Sequence, residues 1–243
     1  MHAADALEQV LAAQGREIAA LIVEPLVQGA SGMRFYHPEY LRRARELCTR
    51  YGVLLICDEI MTGFGRTGTM FACEQAGIAP DLMCLSKGIT GGSLPLSCVL
   101  ASDEVYSAFY DDDIARGFLH SHSYTGNPIA CRAACAVLDL FEHEDVIAAN
   151  EARAARFHPL AERLAHHPKV RDFRHLGMIW AFEVDTLDPR FATRAFARAL
   201  EAGVLLRPIG STVYFMPPYV IEEAQFRQLV DAGIAVAGMA EAA

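Results

Sequence analysis

Three short apolar runs, each closed by a charged residue, most constrain the fold of this chain. Ile18 to Val23 ends at Glu24-Pro25, Val53 to Cys57 ends at Asp58-Glu59, and Leu82 to Ser86 ends at Lys87. Unbroken apolar runs of this length suit strands buried on both faces, as parallel sheets require. A helix is expected between the first two runs. Pro38 suits its first turn and Glu39 its positive end. Leu41, Ala44, Cys48 and Tyr51 form an apolar stripe, and Gly52 ends it. A short helix is read over residues 3–14. A fourth strand, Leu96 to Ala101, follows the glycine-rich turn Gly88 to Ser93. This alternation predicts an α/β domain with a mainly parallel sheet. Ligand-contacting residues of such sheets lie at the carboxyl ends of the strands, where Glu24, Asp58 and Lys87 fall.

After Asn127-Pro128 the pattern changes. Asn127 can cap, and Pro128 can start, a helix running to about residue 142. A second helix is expected over about 145–166. Shorter strands follow near 170–175, 178–184, 204–207 and 212–216, with helices near 189–202 and 222–240. This part reads as a smaller α+β domain starting near residue 145. The 243 residues are enough for one large domain or two small ones.

Composition narrows the function classes. Thirty acidic against 21 basic residues give a formal charge of −9, and no Lys/Arg run makes a local basic patch. Both features argue against nucleic-acid binding. The seven cysteines are odd in number and form no CxxC pair, so free thiols in a reducing compartment are expected. Cys131 and Cys135 share a helix face and read as packing residues. His120 and His122 alternate without an evident third ligand, so no metal is expected. No leader-like segment opens the chain, and no apolar run reaches membrane-spanning length. The expectation is a cytoplasmic protein.

Taken singly, Asp58 could cap a helix or sit on a loop, and Lys87 could be an ordinary solvated lysine. Together, on neighbouring strand ends, they supply an amine able to form an imine and an anion able to face a pyridinium nitrogen. Those are the two groups that pyridoxal chemistry needs.

The segments Leu21-Ile22-Val23-Glu24-Pro25-Leu26-Val27-Gln28-Gly29, Asp58-Glu59-Ile60-Met61-Thr62-Gly63-Phe64-Gly65-Arg66-Thr67-Gly68 and Leu85-Ser86-Lys87-Gly88 resemble class III aminotransferases, which use pyridoxal 5'-phosphate (PLP). Three further stretches are similar to the biotin-synthesis branch of that class. They are Leu82 to Gly92, His120 to Pro128, and Arg207-Pro208-Ile209-Gly210 with Tyr214 to Tyr219. That branch transfers an amino group from S-adenosylmethionine to 8-amino-7-oxononanoate.

The resemblance implies a PLP-dependent transferase fold of type I. Residues 1–144 would be the later part of the large domain, with the start of the connecting helix, and 145–243 the small domain. Lys87 would form the Schiff base and carry the proton in the transfer. Asp58 would pair with the pyridine nitrogen. Ser123 would reach the phosphate across a homodimer interface, and an anion there would also suit the start of the helix at Pro128. Gln28 would lie near the ring. Arg207 would bind the keto-acid carboxylate, Tyr214 would line the substrate pocket, and Arg66 would add positive charge. Read without the resemblance, Arg207 could end a strand in a surface ion pair, Tyr214 could be a core aromatic, and Ser123 a turn hydroxyl.

Family members approach twice this length. Their earlier segment carries the Gly/Ser loop for the phosphate and the aromatic that stacks on the ring. No Gly-Ser-Gly-type loop precedes residue 18 here, and the large-domain sheet is expected to expose an edge. The competing expectations are another ω-aminotransferase of the same class, and an inert remnant that does not hold PLP by itself.

Overall fold

The computed structural model describes residues 2–242. In chain order it contains α1 (His2–Gln14), β1 (Ala20–Val23), β2 (Val27–Gln28), β3 (Arg34–Phe35), α2 (Pro38–Tyr51), β4 (Leu54–Asp58), β5 (Leu82–Leu85), β6 (Cys98–Ala101), α3 (Asp103–Ser107) and α4 (Pro128–His143). Then follow α5 (Val146–Ala165), β7 (Val170–Leu176), β8 (Ile179–Val184), α6 (Phe191–Glu201), β9 (Thr212–Phe215) and α7 (Glu223–Gly238). The chain divides into two compact units. The first comprises the residues up to Val27, Tyr36–Phe64 and Thr69–Asp145; the second comprises Gln28–Phe35, Gly65–Gly68 and the residues from Val146 on.

The first unit is built on a four-stranded sheet ordered β1-β4-β5-β6. β1, β4 and β5 run parallel, as their continuous apolar runs imply. β6 is antiparallel to β5. The link between them holds no α-helix, only the 3-10 turn Lys87–Thr90, whereas a parallel return usually runs through a crossover helix. α2 forms where its capping signals place it. The His37 ring accepts from the Glu39 N–H at 3.1 Å, and Gly52 closes the helix at φ +68°. Its buried face of Leu41, Leu47 and Cys48 meets Leu55 and Cys57 of β4 and Leu11 of α1. β1 and β6 are the edges of the described sheet, and they leave Ile22 62%, Val99 57% and Leu100 52% exposed. An open-edged sheet with bare apolar side chains is an incomplete hydrophobic layer.

The second unit carries an antiparallel sheet, β7-β8-β9, packed with α5, α6 and α7. β8 lies at the centre, and Ile179 to Phe182 are all buried. α7 approaches the sheet closely at Gly233, where a Cβ would stand 2.8 Å from the ring of Phe215. Residues 204–207 are not a strand. Val204 and Leu206 are buried while Leu205 and Arg207 are exposed, which is strand-like alternation, but no strand among the described residues pairs with them. Pro208 also removes a donor there.

His175 stacks between His158 and Trp180, with ring centroids at 4.4 and 4.8 Å. Its Nε2–H donates to the Gly177 carbonyl at 2.7 Å. Burial, aided by neighbouring His158, pushes its pKa down to about 4. Between that value and the ordinary ~6.5, the unfolded chain binds more protons than the folded one. Stability is therefore full above about pH 6.5 and is lost as pH falls toward 4. Discounted for partial solvent access, the loss is expected to be about 2 kcal/mol. Urea midpoints from pH 7 to 4 should show it, and His175→Gln should flatten that part of the profile.

No helix among the described residues is long and apolar enough to cross a membrane.

Candidate active site

In the first unit, parallel pairing brings the carboxyl ends of β4 and β5 to one edge, with Asp58 opposite Cys84. Asp58 is half-buried. Its Oδ1 accepts from the Ile60 N–H at 3.0 Å, and Oδ2 has no partner among the described residues. The turn-capping role that position suggests is thus present, with one oxygen left over. Lys87 stands just past the end of β5 at φ +47°, a left-handed conformation uncommon for a non-glycine residue. Its side chain is exposed and makes no ion pair among the described residues.

Ser123 is exposed in the turn before α4. Thr125 N–H bonds to the His122 carbonyl at 3.0 Å, and His122 Nδ1 accepts from Tyr124 N–H at 3.1 Å. Asn127 Oδ1 already takes the Ile129 and Ala130 N–H groups at the start of α4, at 3.0 and 3.3 Å. Those two donors are therefore engaged within the chain. Among the described residues, no group of three His, Cys, Asp or Glu is placed to hold a metal ion.

The other candidates lie in the second unit. Gln28 is exposed on β2. Arg66 is half-buried. Its Nη1 donates to the Pro217 carbonyl at 2.7 Å, and its guanidinium sits 4.5 Å from the centroid of the Tyr219 ring. Burial lowers its pKa from the ordinary value. Arg207 and Tyr214 line one cavity of about 510 Å³, with Met216, Pro217, Gln225 and Gln228. Arg207 is exposed and makes no ion pair or hydrogen bond among the described residues, so its planar fork is open to an added carboxylate. Tyr214 is half-buried on β9, opposite Ala181 of β8.

One residue essential to the local geometry is absent from the expectations. Glu59 is fully buried. Its carboxylate accepts from the Thr62 hydroxyl, from Ala72 N–H at 3.1 Å and from Cys73 N–H at 2.8 Å. The signal was strand parity: Leu55, Cys57 and Glu59 share the buried face of β4, while Asp58 faces the other way. Glu59→Ala leaves those donors unpaired at about 1–3 kcal/mol each. A loss of about 3 kcal/mol or more is expected in denaturant unfolding, with Glu59→Gln recovering part of it.

This donor set suits PLP at two of its groups. Asp58 Oδ2 offers an unpaired carboxylate oxygen for a protonated ring nitrogen, and Lys87 offers an unpaired amine for the aldehyde.

The class-III aminotransferase family model matches residues 1–235. The chain is 46% identical to the adenosylmethionine-8-amino-7-oxononanoate aminotransferase of Helicobacter pylori, over 98% of this chain and 54% of that protein. The crystal structure of the enzyme of that name from Methanocaldococcus jannaschii superposes with a TM-score of 0.92 at 32% identity, over 99% of this chain and 58% of that one. An amine transaminase from an uncultivated Pseudomonas species, in a PLP-bound form, gives 0.88 at 36% identity, over 98% and 56%. The chain thus spans about half the length of the relatives it matches. With an α/β fold shared with PLP-dependent aminotransferases and a family match along nearly its whole length, this chain belongs to the class III aminotransferases.

Proposed function

We propose that this chain supplies the ring-side and aldehyde-side contacts of a PLP-dependent aminotransferase. The reaction would move an amino group from S-adenosylmethionine to 8-amino-7-oxononanoate, giving 7,8-diaminononanoate for biotin synthesis. The observation that carries the reading is the placement of Asp58 and Lys87 at one edge of adjacent parallel strands, each with an unpaired functional atom. The names of the H. pylori and M. jannaschii relatives support the substrate assignment.

Bound there, PLP supplies an electron sink for negative charge developing at the substrate carbon. Asp58 Oδ2 keeps the proton on the ring nitrogen. Lys87 Nζ would hold the cofactor until the donor's amine displaces it, and the freed amine would then take the proton from the donor carbon and return it during transfer. Ser123 Oγ donates to the phosphate in the site of a second copy, which makes the working form a homodimer. Arg207 binds the acceptor carboxylate, and Tyr214 forms a wall of the same pocket. Arg66, its fork held by Pro217 and Tyr219, acts as a fixed positive charge. The resemblance to the family implies a ring contact for Gln28. The protein works in the cytoplasm.

A second reading has its own support. The Pseudomonas amine transaminase is 36% identical, slightly above the M. jannaschii enzyme at 32%. Another class III ω-aminotransferase activity would fit the same Asp58–Lys87 pair.

The test is cofactor capture followed by a panel of amino donors and acceptors. Purified protein is mixed with PLP, freed of excess and scanned for the visible band of the bound cofactor. Formation of 7,8-diaminononanoate is then measured with S-adenosylmethionine, lysine and simple amines as donors. No band in the parent protein would sink the stand-alone enzyme. Faster transfer to a different acceptor would favour the second reading.

A further inference from the structure

We propose that Phe64 is a positioning residue for Lys87, acting through Gly88. This inference rests on the reading that Lys87 carries the reactive amine.

Phe64 is 3% exposed and sits at φ +59°. Its N–H bonds to the Met70 carbonyl at 2.6 Å. A Cβ built on Gly88 would stand 2.8 Å from Phe64 Cδ2, 2.9 Å from its Cβ and 3.0 Å from its Cγ. The aromatic side chain therefore rests directly on the glycine that follows Lys87, at a distance only a glycine allows. Leu85, Ile89 and Ala134 share its buried cluster, and Phe71 meets the ring edge-on at 5.8 Å. The ring has no room to withdraw.

The two sides of this contact are each anchored. On the Phe64 side, Gly63 N–H bonds to the Glu59 carbonyl at 2.9 Å, and the Glu59 carboxylate holds Thr62, Ala72 and Cys73. On the Lys87 side, Ile89 N–H bonds to Ser86 O at 3.1 Å, Gly91 N–H to Gly88 O at 2.9 Å, and Gly92 N–H to Lys87 O at 3.2 Å. Left-handed backbone at a lysine persists when its surroundings over-determine it. The Phe64–Gly88 contact does so here and sets the direction in which the Lys87 side chain leaves the backbone. Because Glu59 directly follows Asp58, one rigid linkage anchors both the ring-facing carboxylate and the support of the amine.

The test uses the full chain with Phe64→Ala, Phe64→Leu, Gly88→Ala and the Phe64→Ala/Gly88→Ala double variant. Two quantities are measured: hydrogen exchange of the Gly91 and Gly92 amides, and borohydride-fixed PLP on Lys87 relative to Lys169 in the same sample. Phe64→Ala is expected to speed exchange in the turn and to lower the Lys87:Lys169 ratio by about tenfold, within the ~100-fold that a 1 Å misplacement costs. Amides of the β4–β5 ladder should keep their protection. Phe64→Leu should show a smaller loss of the same kind in both readouts, and it decides the matter if Phe64→Ala does not fold. Gly88→Ala should be damaging beside the native Phe64 and much less so when combined with Phe64→Ala.

Equal damage from Gly88→Ala in both backgrounds would overturn the inference, as would an unchanged ratio with unchanged exchange in the Phe64 variants. If the parent protein takes no cofactor at Lys87, the functional reading fails; exchange in the turn and the double variant then decide the positioning role by themselves.

Discussion

Lys87→Ala is expected to eliminate cofactor fixed by borohydride at this site while leaving the fold intact. An imine requires a primary amine, and the chain contains two lysines, Lys87 and Lys169. Lys87 is exposed and unpaired among the described residues, so its amine is available and its removal breaks no contact. Substitutions of that kind usually change stability by within about 0.5 kcal/mol. The backbone at φ +47° costs alanine about as much as lysine, so the turn itself is not relieved. Loss of the fixed label with an unchanged melting temperature is the expected pair of results. Peptide mapping distinguishes residual non-specific label on Lys169 or the amino terminus. Equal fixation in the parent and in Lys87→Ala would place the reactive amine elsewhere.

Gly177→Ala is expected to be among the most destabilising single-methyl additions in the second unit. Gly177 turns the β7–β8 hairpin at φ +55°. An added Cβ would stand 2.5 Å from Thr67 C, 2.6 Å from Arg66 O and 2.8 Å from Gly68 N. All three are backbone atoms, so no rotamer change can make room. The neighbouring hydrogen bond, Met178 N–H to Arg66 O at 2.9 Å, would be strained by any shift. A left-handed alanine costs about 1–2 kcal/mol, and forced overpacking adds about 1–3 kcal/mol. A drop of roughly 10 °C or more in the melting temperature is expected. Gly52→Ala is the control. Gly52 has φ +68° and nothing within 4 Å of its absent Cβ, so it reports the conformational cost alone. A loss at Gly177 no larger than at Gly52 would mean that the loop yields without resistance.

That steric contact also shows why the membership of residues 65–68 in the second unit could not be read from sequence. The glycine-rich stretch after Asp58 reads as one loop of the first domain. Contacts divide it: Thr62 to Phe64 stay with β4 and β5, while Gly65–Gly68 pack on the β7–β8 hairpin. Residues 28–35 likewise go with the second unit, where Arg174 donates to the carbonyls of Met33 at 2.7 Å and Gly32 at 2.7 Å. Linear composition carries no trace of either contact, because each partner lies more than 100 residues away.

Much of the rest was legible. The unbroken apolar runs specify β1, β4 and β5 as parallel strands, although the second covering layer they call for is incomplete among the described residues, where Ile22 is exposed. His37-Pro38-Glu39 and Gly52 bracket α2, and Asn127-Pro128 opens α4, because caps and proline act locally. Asp58 and Lys87 stood out because a charge ending an apolar strand is a local anomaly. What only the tertiary structure decided is long-range. The antiparallel return of β6, the unpaired extension at 204–207 and the cavity shared by Arg207 and Tyr214 depend on which distant segment lies alongside. So do the burial of Glu59 and the contact of Phe64 with Gly88. Periodicity and caps are written in neighbouring residues; packing partners are chosen by the folded chain.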